Sequence, residues 1–219
     1  MFGMADWLTL STRDRDLLFT LTHRVRCLSV EQVARTWWGT AKAPTKDAAR
    51  RLTALAKDGL IERFAALARP ELELGEPVCT WSPDSPTPDF GKIAYLLKTR
   101  WRDARPRRTS LVIATRQAVL LLGGQGDRRP RASETTHDLH LAAIYLRLLA
   151  AEDKRAKRWV SEAALYNQGW GRNARLPDAM ILAKRGPHTV VEFAGEYSKR
   201  KLIEFHNEFS NRGLCYELW

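Results

Sequence analysis

Pro44-Thr-Lys-Asp-Ala-Ala-Arg-Arg-Leu-Thr-Ala-Leu-Ala-Lys-Asp-Gly-Leu-Ile-Glu-Arg-Phe64 is the stretch on which the fold of the first half turns. After Pro44-Thr45 it reads as a helix with Asp47 in its first turn, running to Asp58 and stopped by Gly59, which accepts the left-handed conformation. Ala49, Leu52, Leu55 or Ala56, and Leu60 recur three and four apart and would face a core; Lys46, Arg50, Thr53 and Lys57 recur on another face. Leu60-Ile-Glu-Arg-Phe64 then alternates apolar with charged residues, as a half-buried strand does. Upstream, Thr12 is the expected cap of a helix carrying Asp14 and Asp16 in its first turn, with Leu17, Leu18 and Leu21 as its apolar face. Ser29-Val-Glu-Gln32 is a capping box opening a short helix to about Trp37. Downstream, Glu71-Leu-Glu-Leu74 also alternates, and Pro77-Val-Cys-Thr-Trp81 reads as a returning strand after Gly75. Three helices and a two-stranded ribbon predict a winged helix-turn-helix domain over residues 1–97.

Charge agrees with that reading. The 219-residue chain carries 36 Lys+Arg against 25 Asp+Glu, a net charge of +11 and a pI near 10.0, which points to a polyanionic partner. Between Lys98 and Arg131 ten cationic residues face two acidic ones, Asp103 and Asp127. Pro106 and this dense like charge predict a basic linker over 98–110. A groove-reading helix needs donors for base edges and for phosphates. The candidate duplex contacts are therefore Thr45, Lys46, Arg50, Arg51, Thr53 and Lys57, with Arg50 on a base edge and Arg51, Lys46 and Lys57 on phosphates. Arg105, Arg107 and Arg108 would add phosphate contacts from the linker.

No stretch of about 20 apolar residues exists, so a membrane helix is not expected. Met1-Phe-Gly-Met-Ala-Asp6 lacks a basic region followed by an apolar one, so no secretory signal is read and a cytoplasmic protein is expected. Cys27, Cys79 and Cys215, odd and widely spaced, suit core thiols rather than disulfides or zinc. Gly123-Gly-Gln-Gly126 lacks the Lys-Ser/Thr of a phosphate loop. Trp37 and Trp38 read as core or domain-contact residues, and Lys154-Arg-Ala-Lys-Arg158 equally well as a phosphate contact or a solvated helix end.

Residues 111–219 predict an α/β domain. Thr109–Thr115 and Ala118–Leu122 are strand-like or buried. An amphipathic helix follows from about Thr136 to Glu152, then a short strand at Trp159–Glu162. Arg175–Leu182 and Thr189–Phe193 form a hairpin across the turn Lys184-Arg-Gly-Pro187, and a helix from Ser198 to Asn211 precedes a final strand from Gly213 to Trp219. Asp178 and Glu192, with Glu162 as accessory, are carboxylates of the kind a hard cation such as Mg²⁺ requires. If close they would repel, which favours a metal or a basic neighbour between them, Lys199, Arg200 or Lys201 being nearest in sequence. His137 and His140 read as polar-face histidines and His206 as a helix-surface residue; no site is assigned to them.

Pro177-Asp178, a turn, and Glu192-Phe-Ala194 resemble the restriction-endonuclease core, whose signature is Pro-Asp, a spacer and Asp/Glu-x-Lys. The resemblance implies that Asp178 and Glu192 hold Mg²⁺. The lysine position is Ala194, so catalysis would require Lys199 or Lys201 to reach back from the following helix. A broader resemblance lies in Leu10-Ser-Thr-Arg-Asp-Arg-Asp-Leu-Leu18, Ala48-Ala-Arg-Arg-Leu52 and Leu55-Ala-Lys-Asp-Gly-Leu-Ile61. These are similar to the winged-helix start of bacterial plasmid replication-relaxation proteins. Pro177-Asp178, Val191-Glu-Phe193 and Tyr197-Ser-Lys-Arg-Lys201 are similar to their second halves.

The expectation is an α+β protein, a winged helix followed by a restriction-endonuclease-like domain, that binds double-stranded DNA. It would serve a plasmid or mobile element in replication, mobilisation or regulation, in the bacterial cytoplasm, as a homodimer or with other proteins of that element. A metal-dependent endonuclease is the alternative, and a transcriptional repressor a third reading. No cofactor is expected beyond Mg²⁺ at an active nuclease-like site.

Overall fold

The computed structural model describes residues 10–102, 104–172, 174–186 and 188–219. The expectations for Met1–Asp6, for Asp103 and for Pro187 in the turn fall outside these. In chain order the elements are α1 (Thr12–His23), β1 (Leu28–Ser29), α2 (Val30–Trp37), α3 (Pro44–Lys57), β2 (Ile61–Ala68), β3 (Cys79–Trp81), α4 (Phe90–Thr99), β4 (Arg107–Ala114), α5 (Arg116–Leu122), α6 (Ala132–Ala150), α7 (Lys154–Lys157), β5 (Trp159–Ser161), α8 (Glu162–Asn167), β6 (Ala179–Ile181), β7 (Thr189–Glu192), α9 (Lys199–Ser210) and β8 (Cys215–Leu218). The architecture is α+β, with two sheets among the described residues. Among the described residues no helix is long and apolar enough to cross a membrane.

The chain divides into two compact units, Met1–Ala66 with Thr109–Pro130, and Leu67–Arg108 with Arg131–Trp219. This differs from two contiguous domains joined by a linker at 98–110. Proline and like charge argue for a solvated connector, but most of that segment is spent on structure. Lys98 and Thr99 end α4, and Arg107 opens β4. The Arg100 guanidinium donates to the carbonyls of Trp219 (3.0 Å) and Gly195 (3.3 Å), and Trp101 Nε1 donates to the Gly195 carbonyl (3.1 Å).

In the first unit, Ser11 rather than Thr12 caps α1, its hydroxyl accepting from the Asp14 N–H while the Asp14 carboxylate accepts from the Ser11 N–H. The predicted capping box of Ser29 and Gln32 opens α2. Gly59, at φ +74°, ends the turn after α3 as expected. Leu17, Leu18, Val33, Ala48, Leu52 and Leu55 are fully buried among these helices. The three-stranded sheet has the order β1-β4-β2, with Leu28 opposite Val112. The return strand of the ribbon is thus β4, not residues 77–81. Leu111-Val-Ile-Ala114 is wholly buried, as befits a strand between two neighbours. Ala118–Leu122 lies within helix α5, begun by Thr115, whose hydroxyl accepts from the Ala118 N–H.

The second unit holds a five-stranded sheet of order β3-β8-β7-β6-β5. Strands β5, β6 and β7 form an antiparallel meander, and α9 crosses over so that β8 runs parallel to β7. The Cys79–Trp81 strand pairs here, antiparallel to β8, while Glu71–Leu74 forms no strand. Met180, Val190, Tyr216 and Leu218 alternate toward a core shared with Ile93 and Leu97 of α4 and Leu202, Phe205 and Phe209 of α9. Helix α6 meets the sheet through Tyr145 against Trp159 (5.6 Å between centroids) and His140 stacked on Phe193 (4.7 Å). The cysteines are free; Cys27 is buried, Cys79 and Cys215 half-buried.

Candidate nucleic-acid interface and acidic pair

Helix α3 of the first unit sends Ala48, Leu52 and Leu55 inward and leaves Thr45, Lys46, Arg50, Thr53 and Lys57 exposed. The inward set starts at Ala48 rather than Ala49, a small rotation that leaves the polar stripe where the sequence places it. Arg50 is 79% exposed and reaches back to Asp47 (3.1 Å), an exposed pair of little strength. Thr53 is engaged locally: its hydroxyl donates to the Ala49 carbonyl (2.8 Å) and accepts from Arg63 Nη1 of β2 (2.7 Å). Arg63 therefore extends the cationic face of α3 onto the sheet. An open cleft beside it holds Arg50, Asp47, Arg13 and Trp38, with the Arg13 guanidinium 4.8 Å from the Trp38 ring centroid. Arg13 and Arg63 escape sequence reading because they belong to different elements and meet α3 only after folding.

Arg51 does not present itself to a phosphate. Its Nε and Nη2 grip the two oxygens of buried Asp14 at 2.9 and 2.8 Å, tying α3 to α1. Burial alone would raise the Asp14 carboxyl, but the hydrogen bonds from Arg51 and Ser11 outweigh it and hold the group below the usual carboxylate range. One of two adjacent arginines is a structural tie; the other faces solvent. In the second unit's segment, Arg105, Arg107 and Arg108 are exposed, the last two on β4 rather than on a linker.

The second unit brings Asp178 and Glu192 together. The register pairing Ala179 with Val191 carries Asp178 to Glu192 one step further along the same ladder, and directly opposed residues share a face. Glu192 is 1% exposed. Its Oε1 accepts from Arg175 Nη2 (2.6 Å) and from the Tyr197 hydroxyl (2.5 Å), and its Oε2 from the Asp178 N–H (3.4 Å). The same Arg175 nitrogen lies 2.7 Å from the Tyr197 oxygen. Asp178 Oδ2 accepts from the Phe193 N–H and from His137 Nε2, both at 2.8 Å. Burial, reinforced by Asp178, pushes Glu192 up to about 7 against the pull of Arg175 and Tyr197. Burial works against charge on His137, but Asp178 and Asp138 together raise it to about 11.

The sequence-derived candidates around this pair fare unevenly. Glu162 meets Asp178 through the backbone, its N–H donating to the Asp178 carbonyl (3.1 Å). Lys199 is exposed, and Arg200 is exposed and paired with Glu204 (2.8 Å). Lys201 lies over the Tyr197 ring, its ammonium 3.7 Å from the centroid. Burial and then Arg175 lower its pKa. The basic neighbours of the acids are Arg175 and His137 instead. His137 and His140 are not polar-face residues: His140 is fully buried, stacked on Phe193, and His137 bonds Asp178. Nor is His206 on the surface; it is buried and within 3.0 Å of the Tyr216 hydroxyl. Two signals were available for the missed residues: Arg175 precedes Pro177-Asp178 by two positions, and Tyr197 follows Glu192 by five.

Mg²⁺, which the restriction-endonuclease resemblance implies, does not fit these residues as they stand. Glu192 Oε1 is taken by the Arg175 guanidinium and the Tyr197 hydroxyl, and Asp178 Oδ2 by the His137 imidazole and the Phe193 N–H, donors that compete with a cation for the carboxylate oxygens. Among the described residues no group of three or more His, Cys, Asp or Glu is placed to hold a metal ion. Comparison with protein-family models, curated proteins and solved structures returns no match.

Proposed function

We propose that the chain is a double-stranded DNA-binding protein of a plasmid or other mobile element, whose first unit reads the duplex with α3. The observation that carries this reading is the division of α3 into a buried Ala48, Leu52 and Leu55 face and an exposed face of Lys46, Arg50, Thr53 and Lys57, extended by Arg63. Such a face offers an arginine fork for base edges and ammonium groups for phosphates. Support also comes from the order of elements: helix, short strand, two helices and two strands, with the last strand central, as a winged helix requires. Net charge supplies the long-range attraction.

For the second unit, a helix, an antiparallel three-strand meander, a helix and a parallel strand, with Pro177-Asp178 and Glu192 side by side, support a restriction-endonuclease-like core. The donors filling the space before its acids favour a unit that holds or positions DNA over one that cuts it.

The test is titration of the full chain with random-sequence duplexes at low salt, followed by selection of preferred sites. Tight binding that weakens steeply with added salt supports the reading. Absence of association at low ionic strength, or unchanged affinity when Lys46, Arg50 and Lys57 are all replaced by Ala, refutes it.

A further inference from the structure

We infer that this chain supplies its own cations to the Asp178–Glu192 pair: the Arg175 guanidinium on Glu192 and the His137 imidazole on Asp178 together take the place of a divalent ion, and the pair becomes a metal-binding site only when both are removed. Two carboxylates on adjacent strands, brought to one face by register, repel in a low-dielectric interior unless positive charge compensates them. A nuclease-like core would meet that need with a cation from solution. Here the compensation is covalently attached. Arg175 Nη2 bridges Glu192 Oε1 (2.6 Å) and the Tyr197 oxygen (2.7 Å), and the Tyr197 hydroxyl donates to the same Glu192 oxygen (2.5 Å). The arginine is held from the other side as well, its guanidinium 5.2 Å from the Phe205 centroid and 5.4 Å from that of Tyr197. On the Asp178 side His137 Nε2 takes the corresponding place at 2.8 Å. Each acid thus has a basic partner from a segment outside the strand pair, Arg175 from the lead into β6 and His137 from α6.

This goes beyond duplex binding by α3 and does not rest on it. The consequence is that the folded second unit is indifferent to Mg²⁺ and Mn²⁺ and responds to them once Arg175 and His137 are both absent.

The experiment measures thermal unfolding and Mn²⁺ binding by electron paramagnetic resonance on the full chain. Wild type is expected to melt at the same temperature in EDTA and in millimolar Mn²⁺ and to bind no stoichiometric Mn²⁺. Arg175→Ala should lower the midpoint by about 10 °C, as loss of one partner of a buried pair does; in Arg175→Ala/His137→Ala, which frees both acids, Mn²⁺ should recover a large part of the loss while binding one ion per chain. Arg175→Met/Glu192→Gln, which leaves only Asp178 with its His137 partner, should melt above Arg175→Ala and ignore Mn²⁺. If Arg175→Ala fails to fold, Arg175→Met/Glu192→Gln and Glu192→Gln still decide: the former folding better than Glu192→Gln supports the compensation, and folding worse overturns it. One-to-one Mn²⁺ binding by wild type that Glu192→Gln abolishes would overturn the proposal, as would a folded Arg175→Ala whose midpoint is unchanged or a folded Arg175→Ala/His137→Ala that does not respond to Mn²⁺.

Discussion

Adjacent side chains in this protein have opposite duties, and the difference is one of burial. Arg50 points to solvent, whereas Arg51 compensates Asp14, whose side chain is 2% exposed. Arg51→Ala should therefore destabilise the first unit by about 2 kcal/mol, less than for a fully buried pair because the guanidinium is partly solvated and Ser11 still bonds Asp14. Asp14 is held below the usual carboxylate range, so its contribution is present above the unfolded value and is lost as pH falls through the folded one. Urea unfolding of wild type and Arg51→Ala at pH 7 and pH 3 should show the gap closing in acid. His140 carries a second acid-side effect. Its Nδ1–H donates to the Thr136 carbonyl (2.6 Å) and its Nε2 accepts from the Leu72 N–H (3.0 Å), an arrangement only the neutral ring can make. Burial lowers its pKa to about 4. That contribution is complete above the unfolded value near 6.5 and disappears as pH drops toward 4, roughly 3 kcal/mol in all. A His140→Phe chain, which cannot take up that proton, should lose less stability than wild type between pH 7 and pH 4.5 in the same measurement.

At the scale of the element, α3 is legible in the sequence because a helix period and a stop residue are local properties. Pro44 at its start, Gly59 after its end and the three- and four-residue spacing of its leucines are all carried by consecutive residues. Under the proposed duplex-reading role of α3, Arg50→Ala should relax sequence preference, reducing discrimination by about 1–3 kcal/mol at one base pair. Lys57→Ala should weaken all duplexes alike and reduce the salt slope by about 0.9. Competition binding between selected and random duplexes over a salt series separates the two; equal loss of selectivity in both variants would contradict the assigned orientation of the helix. The strands are harder to read for a reason of the same kind. Leu111-Val-Ile-Ala114 and Val78-Cys-Thr-Trp81 are both short apolar runs, and nothing within either run says that the first returns to β2 while the second pairs with β8.

Across the whole molecule, the chain leaves its first unit at Ala66, builds β3 and α4 into the second, and re-enters the first at Thr109. A fragment of residues 1–97 consequently lacks β4, the central strand of the first sheet. It should show no cooperative thermal transition by circular dichroism, because β1 and β2 have no neighbour to bond and Leu17, Leu18 and Leu55 lose part of their cover. Cooperative melting of that fragment would contradict the discontinuous division. By itself the sequence determined the approximate positions of α1, α2, α3, α6 and α9, the outward cationic stripe of α3, the hairpin that carries Asp178 and Glu192, and the net positive charge, since each depends on periodicity, turn residues or composition along neighbouring positions. Only the tertiary structure decided which strand closes the first sheet, which of two consecutive arginines is tied down, and that Arg175 and His137 neutralise the acids. Those outcomes depend on contacts between residues far apart in the chain, where burial converts an ordinary surface charge into one that must find a partner.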